Sequence, residues 1–323
     1  MRYLLIFSRY LLGFIFLLSG LIKLIDPLGF SYKLEEYFFS LKLTFLINYS
    51  LILSILFCFY EALFGLFLLV GVLRKMVLYS LFLFILFFSF VTFYIAYFSN
   101  MKDCGCFGDF IKLSPWESFS KNLILLVLIL LLLYKKNSIK QHFSNRKTLL
   151  LLLVGLSLFV WVPYHGLYHL PLIDFRPYKV GVNIHQGMKN AEELGLEPPL
   201  YEIFQDFYII QEGKDITSDL LNKDYVLFII VYNIEKISLE KKDQLEKWLK
   251  ENNKFKSHFL GISSSSLNSY PYSISWSYAD LTMLKTMVRS NPAFVLLKKG
   301  TIIKKWHWND RPTPKELDSL CNT

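Results

Sequence analysis

Residues 46–73 read LINYSLILSILFCFYEALFGLFLLVGVL, an apolar stretch with one acidic residue, Glu61, and no lysine or arginine. A helix needs about 20 such residues to cross about 30 Å of hydrocarbon, so this stretch is long enough to span a membrane. Four similar stretches lie in the N-terminal half of the chain, at about residues 4–25, 76–98, 119–134 and 147–164. The sequence therefore predicts five membrane-spanning helices.

The composition indicates a protein divided between membrane and water. Of the 323 residues, 54% are hydrophobic and only 19% are charged, which excludes an ordinary soluble protein. A net charge of +9 would suit a nucleic-acid partner in a soluble chain. Here the basic residues stand in short segments between the apolar stretches, where such residues orient membrane helices. We therefore expect the lipid bilayer as a partner and no nucleic acid.

The positions of the basic residues predict the orientation of the helices. With five crossings, one side of the membrane receives Arg2, Arg74, Lys75 and the cluster Lys135, Lys136, Lys140, Arg146 and Lys147. The positive-inside rule makes this side cytoplasmic. Residues 26–45, residues 99–118 and everything after 165 then face outward. The first apolar stretch is followed by no small-residue cleavage site, so we expect a retained N-terminus and a multi-pass protein of the inner (cytoplasmic) membrane.

Beyond Pro163 the sequence mixes charged residues, turn residues and short apolar runs, as is typical of a soluble domain. Tyr225–Tyr232 (YVLFIIVY) is a β-branched and aromatic run, typical of a strand buried on both faces. The pattern continues as helix, strand, helix and hairpin at residues 238–252, 257–262, 279–289 and 293–306. This order predicts a mixed sheet with helices on its faces.

These patterns divide the chain into three parts. Residues 1–135 form a predicted four-helix membrane domain. Residues 136–179 contain a basic cytoplasmic loop, a fifth transmembrane helix and a juxtamembrane connector. Residues 180–323 form a predicted extracytoplasmic domain that contains its own buried strand and amphipathic helix, so we expect it to fold alone.

The most specific local pattern is DCGCFGD at residues 103–109, in a segment predicted to face outward. Cys104 and Cys106 can close a small disulfide ring, and the glycine between them relieves the backbone strain. A ring of this kind suits redox exchange. Two alternatives stay open, namely a structural staple or inert thiol pair, and a partial zinc shell, for which this loop offers no histidine.

Charged residues inside the apolar stretches are a second signal. Arg9 and Lys23 fall in the first stretch, and Glu61 lies deep in the second, where an unpaired charge costs at least a few kcal/mol. We therefore expect Glu61 to pair with Arg9 or Lys23 as polar support within the bundle. Cys58, one turn before Glu61, is expected to be a small buried apolar residue.

Other residues of metal-binding or redox type give weaker signals. His165 and His169 are four residues apart, but no carboxylate follows at ligand spacing, so an interfacial pair is favoured over a metal site. Cys321 stands alone near the C-terminus and is a weak candidate for any role. We predict no metal site.

Several of these features occur together in one family. They are Arg9, SGLIKLIDP at residues 19–27, Glu61, Gly65, CGCFG at residues 104–108, Trp116 and Asn122. In this combination, about residues 1–135 resemble the DoxX-like membrane proteins, most closely the methylamine-utilisation MauE branch. The resemblance implies a four-helix bundle.

The resemblance also carries expectations about chemistry. The family is compared with quinone-linked disulfide-forming proteins such as DsbB and vitamin K epoxide reductase, and MauE is implicated in maturing a disulfide-rich periplasmic dehydrogenase. Cys104 and Cys106 are then the implied redox pair, and a quinone is the candidate electron acceptor. An extracytoplasmic client or thiol-redox protein is the implied partner.

The remainder of the chain is similar to the long DoxX-type proteins common in Bacteroidetes, whose LPLIDFRPY segment stands here at residues 170–178. Ser290-Asn291-Pro292, followed by a strand and the Gly300 hairpin, resembles the cis-proline segment of the thioredoxin fold. The expected fold is thus an α-helical membrane bundle followed by an α/β thioredoxin-like domain. That domain lacks the usual cysteine pair, since Asn233–Lys236 stand in its place.

The sequence leaves two functions open. One is thiol-disulfide redox chemistry or protein maturation at the outer face of the membrane through the Cys104-Gly105-Cys106 loop. The other is a non-catalytic membrane assembly factor, whose soluble domain binds a client and whose cysteines only staple the loop.

Overall fold

The computed structural model describes residues 2–99, 101, 103–135, 144–188, 207–234, 237–265 and 274–321. Lys136 and Lys140, which entered the charge arguments above, lie outside these residues. The chain divides into two compact units. The first comprises Met1–Leu167 with Pro171–Ile173, and the second comprises Tyr168–Leu170 with Asp174–Thr323.

Among the residues that the structure describes, five long helices are apolar enough to cross a membrane, as the sequence predicts. They are α1 (Arg2–Ile25), α3 (Ser50–Val70), α4 (Arg74–Phe98), α5 (Pro115–Tyr134) and α6 (Asn145–Tyr168). A short 3-10 helix, Thr44–Tyr49, precedes α3 and lengthens its apolar span.

The segment after α1, described above only as an outward segment, is a further helix, α2 (Pro27–Ser40). Asp26 caps it by accepting a hydrogen bond from the backbone N–H of Gly29 at 2.9 Å. Pro27 occupies the first helical position, where its missing N–H removes no helical hydrogen bond. The Asp-Pro dipeptide therefore starts a helix as well as ending the preceding one.

Helices α1 and α3 approach each other through glycines. A Cβ atom on Gly20 would lie 2.4 Å from the backbone nitrogen of Ala62, and one on Gly65 would lie 2.4 Å from the backbone nitrogen of Leu17. No larger side chain fits at this separation, which is the role small residues play between membrane helices. The close contact brings the polar residues near the end of α1 against Glu61 on α3.

In the described part of the second unit, seven strands form a mixed sheet in the order β2-β1-β5-β4-β3-β6-β7. The strands are β1 (Ile210–Gln211), β2 (Lys214–Asp215), β3 (Val226–Ile230), β4 (Phe259–Ser263), β5 (Trp276–Tyr278), β6 (Ala293–Lys298) and β7 (Thr301–His307). Strands β3, β4 and β5 are parallel, whereas β6 runs antiparallel to both β3 and β7. The Asn291–Pro292 peptide bond before β6 is cis.

Both faces of the sheet are buried, which explains the continuous apolar run in β3. Phe228 and Ile230 belong to one hydrophobic core, and Leu227 and Ile229 belong to the other. The α-helices that the structure describes in this unit are α7 (Ile184–Met188), α8 (Thr217–Leu221), α9 (Leu239–Glu251), α10 (Leu281–Met287) and α11 (Pro314–Cys321). An α-helical membrane bundle followed by an α/β domain is therefore the fold class, as predicted.

Candidate functional site

The site is built around the loop that joins α4 to α5, where Cys104 and Cys106 form a disulfide bond. Groups outside the pair hold its backbone in place. The N–H of Cys104 donates to the carbonyl of Leu113 at 3.0 Å. The hydroxyl of Tyr37, on α2, donates to the Cys104 carbonyl, and the Ser19 hydroxyl lies 2.8 Å from the Cys106 carbonyl oxygen. Elements distant in sequence thus fix both cysteines.

Tyr37 is suited to remain a hydrogen-bond donor. Burial raises the pKa of its hydroxyl well above the usual range, and the nearby carboxylates of Asp103 and Glu36 raise it further. The hydroxyl therefore keeps its proton at any physiological pH and continues to hold the Cys104 carbonyl.

The residue between the two cysteines must be glycine. Gly105 has a φ of +61°, and a Cβ atom there would lie 2.9 Å from Cγ of Lys33. Its N–H donates to Asp103 Oδ1 at 3.1 Å, and Lys33 Nζ lies 3.2 Å from Asp103 Oδ2. The negative charge of Asp103 would disfavour a thiolate on the neighbouring cysteine, but this carboxylate is paired with Lys33.

The two sulfur atoms have different surroundings. Cys104 is 1% exposed, whereas Cys106 is partly exposed. The Sγ atom of Cys104 lies 2.6 Å from Oγ of Ser118 and 3.3 Å from the backbone nitrogen of Cys106. A disulfide sulfur carries no proton, so the Ser118 hydroxyl is the donor in this contact.

Ser118 stands near the N-terminus of α5, whose start is specified by the local sequence. The Ser114 hydroxyl accepts from the N–H of Glu117 at 3.3 Å, and Glu117 Oε2 accepts from the N–H of Ser114 at 2.8 Å. This capping box, with Pro115 at the first helical position, fixes the first turn. The positive end of the helix therefore lies beside the buried sulfur, where it favours negative charge.

Beside the disulfide lies a buried ion pair between Lys23 on α1 and Glu61 on α3. Oγ of Ser19 is 3.0 Å from Glu61 Oε2, so the hydroxyl that meets the Cys106 carbonyl also meets the ion pair. Of the two pairings considered from sequence, the structure contains the one with Lys23.

Arg9 occupies a different position. Its Nε and Nη2 donate to the carbonyls of Leu68 and Leu69 at 2.8 and 2.7 Å, at the C-terminal end of α3. Carbonyls in the last turn of a helix have no partner within the helix, and a cation there also suits the helix dipole. Arg9 therefore supports the end of α3 remote from Glu61.

A cavity of about 50 Å³ connects the ion pair to the disulfide. Its polar lining includes Cys104, Cys106, Lys23, Glu61, Lys121 and Asn122. The space accommodates a few water molecules.

Three residues of this site, Tyr37, Ser118 and Lys121, were not identified from the sequence. The capping signal at Ser114 and Glu117 marks the start of a helix. On that helix Ser118 and Lys121, three residues apart, share one face.

A larger groove of about 480 Å³ lies along α1 and α5. Its lining is mainly apolar and includes Leu11, Ile15, Trp116 and Leu128, while Ser120 and Lys121 add polar groups. Ile15, Lys121 and Leu125 line both this groove and the inner cavity. These three side chains therefore separate the groove from the disulfide.

The other candidate residues lie elsewhere. Nδ1 of His169 is 2.8 Å from Asp310 Oδ1 in the second unit, and His165 stands on α6. Cys58 is fully buried on α3 and Cys321 ends α11, and neither forms a disulfide. Among the residues that the structure describes, no three His, Cys, Asp or Glu side chains are arranged to hold a metal ion.

The fold and this site define a multi-pass membrane protein with an attached α/β domain. Residues 1–135 match the family described as methylamine utilisation protein MauE, which confirms the resemblance seen in the sequence. This part of the chain is therefore similar to the MauE membrane proteins. Comparisons with curated proteins and with solved structures find no match.

Proposed function

We propose that the protein carries out thiol-disulfide exchange at the outer face of the cytoplasmic membrane, with Cys104 and Cys106 as the redox pair. The observation that carries this proposal is the contact between Cys104 Sγ and Ser118 Oγ at 2.6 Å beside the N-terminus of α5. A hydroxyl donor and a helix N-terminus both stabilise a thiolate, which is the species released when the disulfide is attacked.

The proposed exchange consists of two steps. A thiolate of the partner attacks one sulfur of the pair, a mixed disulfide forms, and the other cysteine leaves as a thiolate. A second partner thiol, as its thiolate, then attacks the mixed disulfide and releases the partner with a disulfide of its own. The cysteine of the mixed disulfide leaves as a thiolate in this second step, so two electrons move from the partner's two sulfurs to Cys104 and Cys106. The protons of the partner's thiols pass to the solvent, from which a cysteine thiolate can take up a proton.

A quinone is the electron acceptor that we propose for reoxidising the pair. The inner cavity of about 50 Å³ is too small for one, but the groove of about 480 Å³ lies within the usual range of ligand pockets. Its apolar residues and Trp116 would pack against the ring, and Lys121 would donate to a carbonyl oxygen. When bound, a quinone supplies the capacity to take up two electrons and two protons.

We further propose that the N-terminus is cytoplasmic and that the second unit is extracytoplasmic. The basic residues between the apolar helices support this orientation through the positive-inside rule. Topology reporters fused after residues 140 and 179 test it. Activity characteristic of the cytoplasm is expected only after residue 140, and cytoplasmic activity after residue 179 would reverse the orientation.

We propose that the second unit has a thioredoxin-like fold. In this proposal it binds the client without exchanging thiols. The parallel strands β5, β4 and β3 followed by antiparallel β6 and β7 support this likeness. Nδ2 of Asn291 donates to the carbonyl of Asn233 at 2.6 Å, so the loop before β6 meets the end of β3, where such a domain would carry cysteines. Cys321 on α11 is remote in sequence from that position.

The reduction potential of the pair tests the redox proposal. Purified full-length protein is equilibrated in dithiothreitol buffers of graded potential, alkylated and analysed by mass, with Cys104→Ser/Cys106→Ser as the control. We expect two additional alkyl groups with a midpoint above about −300 mV, as for exchangeable disulfides. A midpoint below that value would favour a structural staple and thus the non-catalytic assembly role.

A further inference from the structure

The two cysteines differ in access, and this difference gives the exchange a direction. We infer that the partner thiolate attacks Cys106 and forms its mixed disulfide there, while Cys104 is the departing thiolate and Ser118 is the residue that positions and stabilises it. This inference rests on the proposed exchange. It adds which sulfur the partner thiolate attacks and which side chain stabilises the negative charge left on the other sulfur.

The first argument is access. Cys104 is 1% exposed, and its sulfur is in contact with Ser118, so an external thiol cannot approach it without displacing packed structure. Cys106 is partly exposed in the same loop. The rate of attack on a disulfide depends on which sulfur the incoming thiolate reaches. Attack at Cys106 breaks the S–S bond, joins Cys106 to the partner sulfur, and leaves the electron pair of the broken bond on Cys104.

The second argument is the stability of the leaving group. The Ser118 hydroxyl, at 2.6 Å, and the Cys106 N–H, at 3.3 Å, both point hydrogen-bond donors at Cys104 Sγ. Hydrogen bonds strengthen when the acceptor becomes anionic, so these donors favour the released thiolate. No described side chain donates a hydrogen bond to Sγ of Cys106, so the stabilisation applies to one sulfur of the pair.

The third argument is that the loop is held during the exchange. Tyr37 binds the Cys104 carbonyl, and Leu113 accepts from the Cys104 N–H, so the backbone of this cysteine is fixed independently of the S–S bond. Cys104 can therefore stay beside Ser118 after the bond breaks. From this position it can reclose the ring on Cys106 if the partner leaves before completing the second step.

Glutathione serves as the probe for the site of attack. Oxidised full-length protein is treated briefly with reduced glutathione, quenched with N-ethylmaleimide and mapped by peptide mass. We expect glutathione on Cys106 and the maleimide on Cys104 of the same molecules. Separately, Cys104→Ser and Cys106→Ser variants react with oxidised glutathione, and the Cys106 thiol should form its adduct at least ten times faster than the Cys104 thiol.

The role of Ser118 is tested through the ionisation of Cys104. In Cys106→Ser protein, the pH dependence of the ultraviolet absorbance of the thiolate, with that of Cys104→Ser/Cys106→Ser protein subtracted, reports the pKa of the Cys104 thiol. Adding Ser118→Ala should lower the thiolate fraction about tenfold, which is a rise of about one unit in that pKa. The matched control is Ser89→Ala, because Ser89 is also a buried serine on a membrane helix and donates to the Ile85 carbonyl. It should leave the profile unchanged.

The outcomes separate the direction from the exchange itself. Glutathione found mainly on Cys104, or equal adduct rates for the two variants, would overturn the direction while leaving the exchange intact. An unchanged profile in Ser118→Ala would remove Ser118 from its positioning role. Absence of adducts on the wild-type protein and on both variants would overturn the exchange and the inference together.

Discussion

Asp174 provides the carboxylate of a buried charge cluster in the second unit. Nε of Arg176 lies 2.7 Å from Asp174 Oδ1, its Nη2 lies 3.0 Å from Oδ2, and Lys305 Nζ also contacts Oδ2. The side chains of both cations are only 2% exposed. The substitution Asp174→Asn therefore keeps the shape of the carboxyl group and leaves two buried positive charges without their anion.

The expected loss follows from burial. Removing one partner of a buried ion pair costs about 3–5 kcal/mol, because the remaining charge stays desolvated. We expect Asp174→Asn to lower the free energy of unfolding of residues 168–323 by this amount. The matched control is Asp318→Asn, which breaks the exposed pair with Lys254 and should cost less than about 1 kcal/mol.

Urea denaturation followed by tryptophan fluorescence measures both variants. A common slope with different midpoints would show that stability alone has changed. Equal losses for Asp174→Asn and Asp318→Asn would refute the reasoning from burial. Burial alone would raise the pKa of Asp174, but Arg176 and Lys305 outweigh it and hold the pKa below its usual value. The wild-type domain should therefore lose stability as pH falls through that lowered pKa, and Asp174→Asn should lack this component.

Three further predictions concern the helix contact, the domain boundary and acid stability. Gly20→Ala should lower the melting temperature in detergent by several degrees because its Cβ meets backbone, whereas Gly155→Ala, whose Cβ meets the end of a leucine side chain, should have a smaller effect. Residues 168–323 should unfold cooperatively, and residues 180–323, which lack Asp174, should be less stable by at least about 3 kcal/mol in the same denaturation assay. Burial lowers the pKa of His307 to about 4, so the unfolded chain binds more protons between pH 6.5 and 4. Stability should fall by up to about 3 kcal/mol as pH falls through that window, and denaturation of His307→Gln across the same pH range should not show this loss.

Local sequence patterns identify much of the fold because they depend on neighbouring residues. The five spans follow from apolar length, and the buried run of β3 follows from a sheet covered on both faces. The start of α5 is encoded by Ser114, Pro115 and Glu117. By contrast, α2 is not among the helices predicted from the sequence, because its 14 residues are too few and too polar to match a membrane span.

Contacts between residues far apart in sequence could not be predicted in the same way. Lys305 meets Asp174 across 131 positions, and Tyr37 meets Cys104 across 67. Neither residue type is unusual where it stands, so each contact emerges only once the sheet and the helices are assembled. Because a charge within the membrane must be neutralised, the sequence limits the predicted partner of Glu61 to Arg9 or Lys23. The choice between them depends on the register of α1 against α3.

The charge lining the cavity beside the disulfide provides a test of whether the proposed pair exchanges or only staples the loop. Lys23 and Glu61 offset each other, and Lys121 adds a further positive charge on the same lining. Holding charge at membrane depth is costly, and on the described lining the two cations Lys23 and Lys121 share one carboxylate, Glu61, so a second anion is missing while the disulfide is intact. Reduction supplies that anion when Cys104 becomes a thiolate, so Lys121 should stabilise the reduced pair. Lys121→Gln should then lower the reduction potential, by about 30 mV for each 1.4 kcal/mol of lost interaction. The control is Lys112→Gln, which removes an exposed lysine from the loop that carries Cys104 and Cys106. Equal potentials for Lys121→Gln and the wild-type protein in the dithiothreitol titration would contradict this electrostatic role.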